Sequence, residues 1–518
     1  MNISYRTRIN LLFFILILLP NAILKFHYFS KFNNIIESIL IVSAESYLVI
    51  TVVFVLFKLI DYKYTRFLIP IIFSLCSVTI YYLYSFSKGI DAGVIADIFE
   101  VDKNQIYEYI SLEASIYFIL SGILACYFTF YDNNHSLLSL KIIVITLCPI
   151  FLISILDINI LNGSIGNHVI NDYAPLNIGS SIAKYFKKHS RFDSYKNIRN
   201  DKIKNIHLDF QDENNNIIVL IIGESVRSDY MNFNGEGDSL IPLLSKRKNI
   251  IGFNAIACST STRESLPCML TNAMQPDWEE GLQSVSIINM FKHAKYFTSW
   301  IGTQGVYGTT ETTYGSIATD ADYIIEKRNI RNNLFTGKPY DEHMINYLQK
   351  VISNDYQNKL IILHMSGSHW NLEERYPDEF KIFTPVCIES APRFCEENKL
   401  MNSYNNSILY TDYVIDNIIQ ELESFNSLLI FASDHGFSLG ENGIFGNAYR
   451  GNNTPSEQLN IPIFFWYSET YYHHNKSMIE NIKKNSKMII NHDYIFHSIL
   501  GCSNIHSNII ESSLNLCH

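Results

Sequence analysis

Residues 216–225 read Asn-Ile-Ile-Val-Leu-Ile-Ile-Gly-Glu-Ser. The apolar, mostly β-branched run from Ile217 to Ile222 leaves no polar face, so Asn216–Ile222 is predicted to be a strand buried on both sides, ending at Gly223. Three more such runs follow, at Leu360–His364, Leu428–Ala432 and Pro462–Trp466, with helical patterns between them. Short continuous runs alternating with helices define an α/β domain with a mainly parallel central sheet. Sheets of this kind place their chemistry at the carboxyl ends of the strands. Three of these runs end in polar residues: Gly223-Glu224-Ser225, Met365-Ser366-Gly367-Ser368-His369 and Ser433-Asp434-His435-Gly436.

Glu, Asp and His brought together are divalent-metal ligands with a borderline preference that suits zinc. Each motif alone is as readily turn chemistry; three ends in one sheet point to a site. Between them lies Ala257-Cys258-Ser259-Thr260-Ser261-Thr262-Arg263-Glu264-Ser265-Leu266-Pro267-Cys268. A bond between its two cysteines makes a short rigid loop with hydroxyls at the centre. A hydroxyl is a poor nucleophile until a metal or base lowers its pKa. The same hydroxyls could cap a following helix, and a helix N-terminus also binds phosphate.

Ahead of this domain, five apolar stretches are long enough to cross a bilayer, at 9–29, 36–60, 66–86, 113–131 and 140–161. The first is too long for a signal-peptide core and lacks a small-residue cleavage site. Arg6, Arg8, Lys58, Lys63, Arg66 and Lys141 lie on one side, whereas loop 87–112 carries Asp91, Asp97, Glu100, Asp102 and Glu108. Basic residues stay cytoplasmic, so the N-terminus is expected inside and residues 162–518 outside. Loop 87–112 reads either as an amphipathic surface helix, with Ile90, Val94, Ile95, Ile98 and Phe99 toward lipid, or as a connector. The expected organisation is a transmembrane domain at 1–161, a linker at 162–215 with an amphipathic helix near Ile178–Lys188, and a catalytic domain at 216–518.

The cysteines agree with this topology. Cys76, Cys126 and Cys148 fall in spans and read as buried small apolar residues. The other six lie in the outer domain as close pairs, Cys258 with Cys268, Cys387 with Cys395, and Cys502 with Cys517, which read as disulfides. A four-cysteine zinc site is disfavoured, because no C-x2-C spacing occurs. The net charge of -10 argues against nucleic acid as a partner.

At these residues the chain resembles the membrane phosphoethanolamine transferases of the alkaline phosphatase/sulfatase superfamily, a group that includes lipid A transferases and mobile colistin-resistance enzymes. The likeness rests on Gly223–Asp229, the Cys-x3-Thr-x5-Cys loop at 258–268, Tyr340-Asp341-Glu342, Gly367-Ser368-His369, Thr384–Cys387, Ser433–Gly436 and Ser438–Gly443. It implies an N-terminal five-helix transmembrane domain joined to a sulfatase-like domain in the periplasm. It further implies that Glu224, Thr262, Asp434 and His435 bind a catalytic zinc ion and that Thr262 is the nucleophile carrying a phosphoethanolamine intermediate. His369 is then a ligand for a second zinc or for the phosphoryl group. Phosphatidylethanolamine is the implied donor, and lipopolysaccharide, at lipid A or a core sugar, the implied acceptor. The enzyme is expected to act as a monomer in the inner membrane.

The chain also departs from the family. Phe437 stands where a Glu usually follows Asp-His-Gly, and Asn447 stands where the lipid A enzymes have a histidine. Asn447 can bond phosphate but is a poor zinc ligand, and His473 or His474 is read as a spatial substitute for the missing histidine. Asp97 and Val101 occupy the place of an Asn-x3-Thr pair associated with the donor. Arg263 and Glu264 replace small residues beside the nucleophile, which points to a different acceptor. A sulfatase is excluded by the lack of a C/S-x-P-x-R sequence. A phosphoglycerol transferase and a catalytically dead lipid-binding homologue are the competing readings.

Overall fold

In a computed structural model of the chain, residues 67–86, 112–130, 176–189, 192–210, 215–233, 240–275, 277–305, 314–334, 338–449 and 454–518 are described, with the isolated positions 22, 46 and 95. The chain divides into two compact units, and the second holds Lys188–Tyr449 and Thr454–His518.

In the first unit, helix α1 (Leu68–Phe86) packs on helix α2 (Leu112–Phe130). They cover the stretches read as spans at 66–86 and 113–131; apart from positions 22 and 46, the stretches 9–29, 36–60 and 140–161 lie outside the described residues, as do Cys148 and nearly all of loop 87–112. Among the described helices, α1 is long and apolar enough to cross a membrane. A Cβ at Gly122 would stand 2.5 Å from the Ser74 hydroxyl, so a residue without a side chain lets the helices meet there. The Ser77 hydroxyl donates to the Phe73 carbonyl at 2.9 Å within its own helix, as a buried hydroxyl must when no water is at hand. Ile116, Ile119, Leu120, Ile123 and Tyr127 of α2 form an exposed apolar face. Cys76 is buried as expected, but Cys126 lies on that exposed face. Helix α3 (Leu176–His189) is the amphipathic helix expected near Ile178–Lys188.

The second unit begins before the predicted domain start. Helix α4 (Phe192–Lys204) is polar along its length, yet Arg199 is fully buried: its Nε pairs with Asp320 at 2.9 Å and its Nη1 donates to the Leu282 carbonyl at 2.6 Å. Strand Leu208–Asp209 pairs antiparallel with His506–Ser507. Part of the stretch read as a linker is therefore built into this unit, through a buried guanidinium, a strand pairing and the packing of Ile203, Ile206 and Phe210 against the core.

Eight strands form the central sheet: β1 (Ile217–Gly223), β2 (Ile250–Ile256), β3 (Phe297–Gly302), β4 (Tyr323–Ile325), β5 (Lys359–His364), β6 (Ser427–Ser433), β7 (Asn460–Tyr467) and β8 (Ile490–Asn491). Their order is β8-β2-β7-β6-β1-β5-β3-β4. All pairings are parallel except those of β7, which runs against both β2 and β6 and makes the sheet mixed. Every residue of β1 is buried, because helices cover both faces. Ile218, Leu220 and Ile222 face one core layer with helices α5 (Thr262–Leu270) and α8 (Asp493–Gly501). Ile217, Val219 and Ile221 face the other with helices α6 (His343–Ile352) and α7 (Glu397–Leu422). In α7 the residues Leu400, Tyr404, Ile408, Ile415 and Leu422 recur at helical spacing on the core side. Three disulfides form, Cys258–Cys268, Cys387–Cys395 and Cys502–Cys517, in the expected pairs.

Candidate active site

The register of the sheet brings the motifs together. Ile222 is level with His364 on one side and Ala432 on the other, so the residues after β1, β5 and β6 emerge at one edge. Glu224 and Asp434 follow the paired residues Gly223 and Ser433. Helix α5 starts at Thr262 over the same edge; Ser261 holds the N-cap position in extended conformation, but its side chain makes no cap hydrogen bond.

Glu224, Asp434 and His435 are fully buried and present their ligand atoms to one another. Thr262 Oγ1 donates to Glu224 Oε2 at 3.0 Å and lies 3.3 Å from His435 Nε2. His435 Nε2 is 3.3 Å from Asp434 Oδ2 and 3.5 Å from Glu224 Oε1. His435 Nδ1 is 2.8 Å from the Gly436 carbonyl, which only accepts, so Nδ1 carries a proton and Nε2 faces the carboxylates.

These residues fit a zinc ion. Bonds of about 2.0–2.2 Å in a tetrahedron put neighbouring donor atoms about 3.3–3.6 Å apart, close to the separations found here. Asp434 Oδ2 is buried and accepts no hydrogen bond, a costly state that a cation would relieve. The electrostatics agree. Burial raises the Glu224 carboxyl, but His435, His369 and hydrogen bonds from Ser225 and Gln304 outweigh it and hold the group at about 2. Burial and the Glu224 charge push Asp434 up to about 7. Two buried carboxyls side by side, one of them pushed up by the charge of the other, favour a divalent ion over shared protons.

Asn447 joins the cluster, its Nδ2 lying 3.0 Å from His435 Nε2. His369 is half-buried, with Nδ1 held on the Trp370 carbonyl, and its charge acts on Glu224. His473 and His474 do not substitute. They lie on the helix Glu469–His474 after β7, and β7 runs backwards, so Tyr467 is level with Leu428 at the start of β6. That places this helix at the opposite edge of the sheet. Phe437 is in the core, stacked on Tyr404 with ring centroids 6.0 Å apart. Glu264 accepts from the Ser259 hydroxyl at 2.6 Å and so braces its own loop. Asp97 and Val101 lie outside the described residues.

Several site residues escaped the sequence reading. Gln304 donates to Glu224 Oε2 at 2.6 Å and to the Met365 carbonyl at 3.1 Å. It follows β3, whose Phe-Thr-Ser-Trp-Ile-Gly sequence lacks a continuous apolar run. Ser225 donates to Glu224 Oε1 at 2.6 Å. Asp341, from the Tyr-Asp-Glu motif, is buried and accepts the amides of Ser366 at 2.8 Å and Gly367 at 2.9 Å, fixing the loop that ends in His369. Arg227 joins two other motifs, bonding Asp229 at 2.7 Å and Glu441 at 2.5 Å. Gly367 sits at φ +44°, and a Cβ there would come within 2.8 Å of the Glu224 carbonyl oxygen.

Residues 48–189 match the family described as phosphoethanolamine transferase EptA/EptB, and residues 216–505 match the sulfatase family. The chain is 28% identical over 309 residues to phosphoethanolamine transferase EptA of Escherichia coli K12, covering 58% of this chain and 55% of that one. It is 28% identical over 367 residues to the Kdo(2)-lipid A phosphoethanolamine 7''-transferase of the same organism, covering 68% and 64%. The chain thus spans less than two thirds of either relative's length. The fold is that of the integral membrane lipooligosaccharide phosphoethanolamine transferase A of Neisseria meningitidis, with a TM-score of 0.80, 20% identity, and 99% and 97% of the two chains covered.

Proposed function

The chain belongs to the sulfatase family, with the amino-terminal domain of the phosphoethanolamine transferases EptA and EptB ahead of it, and from that premise we propose that it transfers phosphoethanolamine from phosphatidylethanolamine to a lipopolysaccharide acceptor through Thr262. One observation carries the reading: a threonine hydroxyl at the start of α5 stands 3.0 Å from a buried carboxylate and 3.3 Å from a buried imidazole nitrogen, at the carboxyl edge of the sheet.

Glu224, Asp434, His435 and Thr262 would hold zinc, which supplies Lewis-acid activation of the hydroxyl and charge for the phosphoryl oxygens. The chain's own groups do the rest. Thr262 gives up its proton along its bond to Glu224, and Oγ1 attacks phosphorus. The bond from phosphorus to the diacylglycerol oxygen breaks, and diacylglycerol leaves after taking a proton. An acceptor hydroxyl or phosphate then attacks the same phosphorus, and Thr262 recovers its proton as its bond to phosphorus breaks. The positive end of α5, His369 and the Asn447 amide face the negative charge of this transfer.

The enzyme is a multi-pass inner-membrane protein with five transmembrane helices in residues 1–161 and its catalytic domain, 216–518, in the periplasm. The exposed apolar face of α2 and the disulfides of the second unit support this. Asp97 and Val101, in the outer loop, contact the donor. The acceptor is lipid A or a core sugar, with the departures around Thr262 and Asn447 favouring the sugar.

Mass spectrometry of the Thr262 peptide, after mixing the protein with phosphatidylethanolamine, tests the chemistry. A phosphoethanolamine adduct, absent in Thr262→Ala, is expected; no adduct, or a phosphoglycerol adduct when phosphatidylglycerol is offered alongside, would refute it. Mass analysis of lipopolysaccharide from cells with and without the gene identifies the acceptor, and addition solely to lipid A phosphates would exclude the core sugar.

A further inference from the structure

His492 directly follows β8 and is fully buried. Its Nδ1 accepts the Cys258 amide at 3.1 Å, and its Nε2 lies 2.9 Å from the Ser433 carbonyl. A carbonyl only accepts, so Nε2 carries the proton and the ring is neutral. Burial lowers its pKa to about 4, in keeping with that tautomer. The two partners belong to opposite sides of the site. Cys258 opens the cystine loop that leads to Thr262, and Ser433 immediately precedes Asp434 and His435. A second brace runs through residues 458–459: Ala257 donates to the Leu459 carbonyl at 2.8 Å and Gly436 to the Gln458 carbonyl at 2.9 Å. A third runs through segment 447–449, where Ala448 donates to the Thr260 carbonyl at 2.7 Å and Asn447 lies 3.0 Å from His435. Of these braces, the imidazole alone bridges Cys258 directly to Ser433 among the described residues.

We infer that His492 is a positioning residue that sets the distance between Thr262 and the Asp434–His435 pair. The inference rests on the proposed transfer through Thr262. His492 touches no reacting atom, so its loss slows attack on phosphorus without weakening the hold on the donor. Small misplacements of reacting groups are costly, because the attacking atom must already stand near phosphorus.

His497, on α8, provides the control. It is also buried, but its Nδ1 accepts the Glu511 amide at 3.1 Å, from the C-terminal segment. Its removal costs a comparable buried hydrogen bond without touching the loop of Thr262.

The test uses the full-length zinc-loaded protein in detergent with phosphatidylethanolamine, following the Thr262 adduct over time. His492→Ala should form it roughly 10- to 100-fold more slowly, the range found for groups that support a site from behind. Its zinc content and half-saturating donor concentration should stay at wild-type values. His492→Gln, which keeps one donor and one acceptor, should recover part of the rate. His497→Ala should lower the melting temperature and keep the rate. Wild-type speed in His492→Ala, or slowing no greater than in His497→Ala, overturns the inference. If the alanine variant does not fold or loses zinc, His492→Gln decides by the same comparison with His497→Ala. A wild-type protein that forms no adduct overturns the transfer itself, and this inference with it.

Discussion

Gly367→Ala probes the site through its backbone. The residue lies at φ +44°, where an L side chain costs about 1–2 kcal/mol. The new methyl would also meet Glu224 at three points, the carbonyl oxygen at 2.8 Å and the Cβ and amide nitrogen at 3.1 Å. These belong to a fully buried segment with no flexible end to swing away, and overpacking of that kind costs about 1–3 kcal/mol. The sum, about 2–5 kcal/mol, corresponds to a melting temperature lower by about 3–8 °C for a domain of about 300 residues. Because the pushed residue is a proposed ligand, zinc affinity and adduct formation should fall together with stability. Thermal melting with zinc titration reads both. A variant with wild-type melting and zinc affinity would show that the loop 366–369 does not press on Glu224.

Asp341→Ala should destabilise the domain by about 2–4 kcal/mol, because it strands the buried amides of Ser366 and Gly367; denaturant melting checks this, and a loss below about 1 kcal/mol would contradict it. Burial holds the folded-state pKa of His497 at about 4, below its ordinary 6.5. Folding therefore keeps protons off it, and its stabilising effect is complete above pH 6.5 and lost as the pH falls toward 4, up to about 3 kcal/mol in all. His497→Gln should flatten the dependence of melting temperature on pH in that window, and an unchanged slope would remove His497 from the account.

The sequence disclosed the middle of the sheet and three of its working ends, because β1, β5 and β6 are buried on both faces and show as unbroken apolar runs. It hid the flanks for physical reasons. β2 interrupts its run with Gly252 and the exposed Asn254, β3 carries Thr298 and Ser299, and β8 is two residues long. With β3 went Gln304, and with β8 went His492. The reversal of β7 was equally invisible, since an apolar run has no direction; it is the reason that His473 and His474 lie at the wrong edge. Arg199 shows the same limit, a cation in a polar helix buried by partners more than 80 residues away in sequence. Motifs that depend on chain-local spacing, the cystine loop and Asp-His-Gly, transferred directly to the site. What Arg227, Asp341 and Glu441 do became clear only once the strands they join were adjacent.

X-ray absorption at the zinc edge, on wild-type and Thr262→Ala protein, addresses the shared centre of the account. Wild-type protein should bind one tightly held ion with oxygen and nitrogen neighbours at about 2.0–2.2 Å and a single imidazole, and Thr262→Ala should lose one oxygen neighbour while keeping the fold. An ion with two or more imidazole ligands, or a spectrum unaffected by the loss of the hydroxyl, would contradict the site built from Glu224, Thr262, Asp434 and His435.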